Sequence, residues 1–364
     1  MKKTGVSKSA LLALAMLVMA LGGRTDLFAD WKIVSADEKS ELKIGFLVQL
    51  QGESIRSADE KLTATDIYFR RARLIFGGRL DERLSFFLDT DSPNLGKGDG
   101  AGKKNDAQIF IQDFFLTYKV RDELMFDGGL FLVPNSYSTL QSATNPMGID
   151  LGAFSYQASA PTGSRVGRDY GLQARGYLRN KHLEYRASVF QGARGSNDSM
   201  PLRYSGRLAY WPLDTFTGIY YFGTGFGQKK IVSLGTSMDH QQDYNSVALD
   251  FFADLPVAGR DAITFQVDWI RYNGGRTFLQ LPRQDGWFVE AGYYIRKVKL
   301  TPFFQYNGLQ VDRDQRPNEN RYQGGVAFWP KGHTFNLKFS VAQQRKDGLE
   351  NRTQYQFSCQ FFQF

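Results

Sequence analysis

The chain has 364 residues, of which 42% are hydrophobic, 15% aromatic and 23% charged, with 37 Gly against 11 Pro and a formal net charge of +8. That composition is too polar for a bundle of membrane helices and too aromatic and apolar for a disordered chain. One Cys excludes an intramolecular disulfide, and three His leave little room for a His-based metal site.

Lys2, Lys3 and Lys8 precede the apolar stretch from Ala10 to Leu21, which reads as the charged region and short hydrophobic core of a secretory signal over residues 1–29. Its removal lowers the formal charge from +8 to +5, because Lys2, Lys3, Lys8 and Arg24 leave together with Asp26. Residues 30–40 then form a short periplasmic segment. From residue 41 to 364 the dominant signal is a period of two. Leu42, Ile44, Phe46, Val48 and Leu50 alternate with Lys43, Gly45, Leu47, Gln49 and Gln51, which gives a strand with one apolar and one mostly polar face.

Similar runs recur at about 66–80, 82–92, 107–121, 123–132, 168–180, 182–192, 201–211, 230–242, 244–254, 261–273, 285–297, 298–308, 319–329, 333–345 and 351–363. Each is about the length that a tilted strand needs to cross the hydrocarbon. With the first they make sixteen, the even count of a closed antiparallel transmembrane β-barrel in a bacterial outer membrane. Short links near 81, 122, 181, 298 and 331 alternate with longer ones at 52–65, 93–106, 133–167, 193–200, 274–284 and 309–318, as periplasmic turns alternate with outer loops. Two links break the rule: Pro212 to Lys229 is long where a turn is expected, and the one near Asp243 is short. Tyr68, Tyr118, Tyr210, Trp211, Trp269, Trp287, Phe328 and Trp329 fall near strand ends, where aromatic girdles lie. Tyr355, Phe357, Cys359 and Phe361 lead to a terminal Phe364 in the manner of a closing strand, although Phe361-Phe362 shifts the alternation.

If the apolar faces meet lipid, the opposite faces line a lumen. Strand phases place Arg71, Arg73, Lys119, Arg175, Arg179, Arg186, Arg203, Arg207, Arg296, Arg321 and Lys338 inward as an anion pathway, with Lys43 and Lys299 on the same face. Asp89, Asp113, Glu184, Asp268 and Glu290 share it, so cations are expected to dominate the bore and draw anions in. Arg70 falls on the lipid phase, where it has to snorkel unless a bulge re-aims it. The connection from Val133 to Gly167 is long enough to be functional, and its position after the fifth strand suggests an inward-folding constriction carrying Asn135, Tyr137, Asn145, Asp150, Tyr156 and Arg165. His182, His240 and His333 lie far apart, so no nucleophile–base pair for an enzyme emerges, and no cofactor, metal site or nucleic-acid patch is read.

Several segments, in order along nearly all of the mature chain, resemble the phosphate-selective porin O and P family. They are Phe69-Arg70-Arg71-Ala72-Arg73-Leu74 with Gly77; Gly129-Leu130-Phe131-Leu132-Val133-Pro134; Gly167-Arg168-Asp169-Tyr170-Gly171-Leu172-Gln173; Leu183-Glu184-Tyr185 with Val189-Phe190-Gln191-Gly192; and Arg207-Leu208-Ala209-Tyr210. The resemblance implies a sixteen-stranded, usually trimeric, anion-conducting barrel in the outer membrane with a third loop folded inside. This chain departs from the family where Leu130 and Leu132 replace polar and basic residues, and where the long loop has no Lys before Arg165. The expected function is therefore a passive channel preferring small inorganic or organic anions, with phosphate and other oxyanions as candidates, in contact with outer-membrane lipid. A rival of another class is a structural barrel that sheathes or docks a periplasmic partner such as a redox protein and conducts little.

Overall fold

The computed structural model describes residues 31–364 except 60, 100, 107, 258–260 and 313–315. The secretory signal read over 1–29 lies outside the described residues. A short strand β1 (Trp31–Val34) is followed by sixteen that form the wall. These are β2 (Glu41–Ser57), β3 (Leu62–Arg79), β4 (Leu84–Asp91), β5 (Phe110–Arg121), β6 (Leu124–Leu132), β7 (Arg168–Leu178), β8 (Leu183–Phe190), β9 (Arg203–Tyr210), β10 (Ile231–Gln241), β11 (Tyr244–Pro256), β12 (Ala262–Asn273), β13 (Gln284–Tyr294), β14 (Leu300–Val311), β15 (Glu319–Lys331), β16 (Phe335–Lys346) and β17 (Arg352–Gln363).

Consecutive wall strands pair antiparallel, and β17 pairs with β2 from Arg352 opposite Ser57 to Gln363 opposite Phe46, which closes the barrel. β10 shows how the sequence dictates the two faces: Ser233, Ser237, Asp239 and Gln241 are buried inside, while Leu234 and Met238 are exposed on the lipid side. Both irregular links are real. The β9–β10 connection is long on the periplasmic rim, and β10 turns into β11 through Gln242 and Asp243 alone. The expected outer loop over 52–65 is mostly strand, because β2 and β3 run on past the hydrocarbon to residues 57 and 62.

Alternation fails at five Phe-Phe doublets, and the wall shows why. In Phe114-Phe115 the first ring faces lipid, 46% exposed, and the second is buried inside at 4%; in Phe303-Phe304 the order is reversed. Phe251-Phe252 places Phe252 in the interior, and in Phe361-Phe362 the inner ring, Phe362, borders a cavity. A doublet thus sets one ring on each side of the sheet without changing its phase, since neighbouring residues in a strand point to opposite faces. Three girdle residues behave differently from expectation: Tyr68, Trp211 and Trp329 are buried at 3%, 0% and 1% and stand inside the barrel, whereas Tyr118, Tyr210 and Trp287 are exposed on its outer surface.

Candidate functional site

The inward arginines of the wall are mostly paired. Arg207 donates from Nη1 and Nη2 to the two carboxylate oxygens of Asp250 at 2.6 and 2.7 Å, and both side chains are fully buried. Arg203 bridges Asp239 and Asp169, Arg186 meets Glu184 at 2.6 Å, Arg175 meets Asp127 at 2.7 Å, and Arg168 meets Asp113 at 3.0 Å. Arg73 spans Asp89 and Asp91, both at 2.9 Å. Beyond the five acids read from the sequence, Glu53, Asp91, Asp127, Asp169, Asp239, Asp250 and Asp254 are also buried at inner positions. The bore as a whole is therefore close to compensated, which corrects the cation-dominated lumen expected from strand phases alone. Compensation is physically required, because a buried guanidinium without a carboxylate costs several kcal/mol.

Those pairs also hold the segment 134–167 inside the barrel. Its one helical turn, α1 (Tyr137–Leu140), is capped by Ser136, whose side chain accepts from Thr139 N while Thr139 Oγ1 accepts from Ser136 N. The free N–H groups of α1 point at wall carboxylates: Tyr137 N donates to Asp250 at 3.2 Å and Ser138 N to Asp268 at 2.9 Å. Further on, Gly148 N donates to Glu290, and Lys338 donates to the carbonyls of Pro146 and Gly148. The Tyr137 ring stacks on Phe252 at 4.4 Å, and Asn135 accepts from Ser237 through its carbonyl.

The β9–β10 link rises into the barrel from the opposite rim and meets this loop. Tyr221 N donates to Leu140 O and Ser142 N to Tyr221 O, both at 2.8 Å, and Gly223 N donates to Asn145 O at 3.1 Å. Tyr221 Oη donates to Glu184, while Arg207 Nε donates to Tyr221 Oη. Lower down, Phe226 stacks on His333, whose Nε2 lies 2.9 Å from Thr224 O. The two segments together fill the lumen beside β8 to β16. Sequence reading missed this second insertion, although the length of the Pro212 to Lys229 link was its signal.

What remains open lies along β3 to β7. An outer cavity of about 350 Å³ is bordered by Glu53, Tyr68, Lys97, Asp150 and Arg321, and an inner one of about 590 Å³ by Arg73, Asp89, Asp91, Asp113, Lys119, Arg168 and Arg175; Arg70, Arg71, Leu151, Tyr156 and Val166 border both. Arg70 is there because of a bulge: Gln49 faces Arg71 and Leu50 faces Phe69, so Arg70 is the extra residue and turns inward. Its Nε is 4.0 Å from Asp150. Arg71 donates to the neutral Gln49 at 2.7 Å, and among the described residues no carboxylate lies within ion-pairing distance of it. With the partners of Lys119 and Arg175 included, the open side carries eight cations (Arg70, Arg71, Arg73, Lys97, Lys119, Arg168, Arg175, Arg321) against seven carboxylates (Glu53, Asp89, Asp91, Asp113, Asp122, Asp127, Asp150), a small surplus that falls at Arg71.

Among the residues assigned to the pathway, Arg71, Arg73, Arg175 and Arg321 border this open side. Arg186, Arg203, Arg207 and Lys338 are buried in the filled half and border neither cavity. Lys119 stands at the periplasmic mouth on Asp122, whose carboxyl is held down to about 2 by hydrogen bonds from Lys119 and Lys181. Arg179 and Arg296 are exposed residues of periplasmic turns, because the strands end just before them, and Arg296 Nη2 donates to Phe226 O of the inserted link at 3.0 Å and so braces that segment from the rim. Lys43 and Lys299 are likewise exposed at the rim. Of the loop residues, Asp150 and Tyr156 face the open path, Tyr137, Asn135 and Asn145 anchor the loop, and Arg165 is exposed over the Phe110 ring at 3.8 Å. Arg70, Lys97 and Arg168 are path residues that strand phase did not assign.

The sequence model of the family described as phosphate-selective porin O and P matches residues 43–230, more than half of the chain. The chain belongs to that family. No curated protein matches it in sequence. Among solved structures it is similar to an anion-selective porin from Comamonas acidovorans, with 11% identity, a TM-score of 0.61 and coverage of 89% of this chain and 100% of that one. It is also similar to the outer-membrane channel DcaP of Acinetobacter baumannii (10%, 0.58, 91% and 99%) and to OmpT of Vibrio cholerae in a trimer form (10%, 0.53, 88% and 99%). This porin is thus an outer-membrane β-barrel with a wall of known type, whose interior is dressed by its own side chains.

Two predictions follow from the anchoring of the inserted segments. Asp250→Ala removes the partner of Arg207 and the acceptor of Tyr137 N, at a cost of about 3–5 kcal/mol for an unpaired buried charge. The loop should loosen, with a larger single-channel conductance and heat-induced unfolding at lower temperature; unchanged conductance would show that the loop is held elsewhere. His333 is half-buried in its turn, and the loss of solvation there pushes its pKa down from 6.5 to about 4. The unfolded imidazole therefore takes up a proton before the packed one does, so docking of Phe226 weakens as pH falls from 6.5 towards 4 and is unaffected above that window. Amide protection factors over 216–228, taken against the intrinsic exchange rate at each pH, should fall across it, and His333→Phe should flatten the response.

Proposed function

We propose that this porin is a passive diffusion channel that prefers anions, has no catalytic role, and passes solutes along β3 to β7 past Arg70, Arg71 and Arg73. The observation that carries this reading is the surplus of cations on the open side, centred on an Arg71 whose partner is uncharged. Arginine pairs locked in the filled half add structure but little field, since each is neutralised at contact distance. A guanidinium facing a neutral amide in a narrow wet bore keeps its attraction for a passing anion and presents two parallel donors to it. The description of the Comamonas structure as anion-selective supports the same direction. Phosphate selectivity is not proposed: the loop contributes no lysine, and Leu132 borders the inner cavity where a polar group would be needed. A homotrimer is proposed by analogy with the trimer form of the Vibrio structure, and the mass of the native complex in mild detergent tests it.

Planar-bilayer recording under a KCl gradient tests the channel. Reversal potentials should favour chloride, and Arg71→Gln should lower the chloride-to-potassium permeability ratio roughly fifteenfold, because a Coulomb interaction of about 0.8 kcal/mol at about 7 Å in a hydrated bore is lost by chloride and relieved for potassium alike. The preference should also shrink between 0.1 M and 1 M salt, as the screening length falls from about 10 Å to about 3 Å. Cation preference in the wild type would overturn the reading, and the absence of any conductance would favour the sheathing barrel.

A further inference from the structure

The open side is not lined as a path for small hydrated ions alone. Below the arginines, the inner cavity is walled by Phe87, Phe115, Tyr220, Phe362 and Phe364. Phe87 lies 5.7 Å from Phe115, 5.6 Å from Tyr220 and 5.8 Å from Phe364, ring centre to ring centre, so the group is one continuous aromatic surface. It draws on β4, β5, the terminal residue and the inserted β9–β10 link, and Phe364 is 40% exposed. In a water-filled bore such rings give up contact with water only when something apolar covers them. Lipid does not reach this face.

The cationic and aromatic parts adjoin. Arg73 is paired with Asp89, and Phe87 precedes Asp89 by two residues on the same strand face, about 7 Å along the strand. Arg71, without a carboxylate, stands one step above Arg73 on the same face of β3. The cavity volume of about 590 Å³ is of the size that takes small organic ligands. A solute complementary to both parts has a forked oxyanion at one end and a flat apolar body at the other. Building on the anion-channel reading above, the geometry points to aryl carboxylates, an aromatic ring bearing an acid on a short chain, as the substrate class of this porin. Register sets Phe87 opposite Gly77, six residues along β3 from Arg71, so the acid engages Arg71 first and the ring comes to lie on Phe87 and Tyr220 as the solute moves on towards the periplasm. Two ring-lined walls and one uncompensated guanidinium form a transient site, which slows such a solute and gives it selective passage over ions of equal charge.

The test is block of the chloride current by 4-phenylbutyrate, with butyrate as the same acid without the ring and inorganic phosphate as a polar anion. The half-blocking concentration of 4-phenylbutyrate should be roughly tenfold lower than that of butyrate, because only the former covers aromatic surface. Phosphate should block no better than butyrate. Phe87→Ala and, separately, Tyr220→Ala should bring 4-phenylbutyrate to within about twofold of butyrate in the same variant, heat-modifiable mobility on gels reporting that each barrel has folded. Equal block by the two carboxylates in the wild type overturns the aryl preference whatever the variants do. Retained chloride preference in that experiment leaves the anion channel standing, whereas loss of chloride preference in KCl overturns the channel reading and this one with it.

Discussion

Hydrocarbon offers no water to a peptide group, and every other feature of this molecule is shaped by that constraint. Strands in such a medium have to pair on both edges, so the sheet curls until β17 reaches β2. Closure then fixes a bore wider than any one side chain can fill. The inner face has to be both polar enough to be wetted and packed enough to be rigid, and the chain meets the two demands in different halves of the same cylinder.

Beside β8 to β16 it packs. Two segments enter from opposite rims, touch at Leu140, Ser142 and Tyr221, and are held by carboxylates that serve a wall arginine on one side and a loop amide on the other. Asp250 is the clearest case, because one acid sets both the guanidinium of Arg207 and the first turn of the loop. Gly235 makes room for this arrangement: a Cβ there would lie 2.4 Å from Arg207 Nη2 and 2.2 Å from Asp250 Oδ1. Beside β3 to β7 the wall stays bare, and there the balance of charge and aromatic surface decides what can pass.

Much of this was legible in the residues, and the failures are as physical as the successes. The dyad pattern gave strand number and placed Arg71, Arg73, Arg175 and Asp268 inward, since a buried face needs a fixed phase. The acids Asp239 and Asp250 share the phase of Ser237 and Ala248, so the same alternation that places Asp268 inward places them there too, opposite Arg203 and Arg207. Tyr68 stands inside for a different reason, the same bulge that turns Arg70 inward instead of leaving it to snorkel. A bulge breaks strict alternation, and no local residue pattern announces it. The inserted β9–β10 link was visible only as excess length, and its contacts with the loop are tertiary.

The N-terminal strand β1 adds to β2 opposite residues 41–44, just past the point where β17 ends at the same edge. The bulge at Arg70 has a subtler effect on the opposite edge of that strand. Because one extra residue there joins two stretches of β3 that run out of step, the stretch before it keeps Tyr68 indoors only as long as the insertion persists. Losing residue 70 would not merely subtract a charge; it would turn the stretch from Ala64 to Phe69 inside out, sending Tyr68 to the lipid and Phe69 to the water. Substitution and deletion at this one position are therefore events of different magnitude, and a change in reading length costs the wall more than any change of side chain.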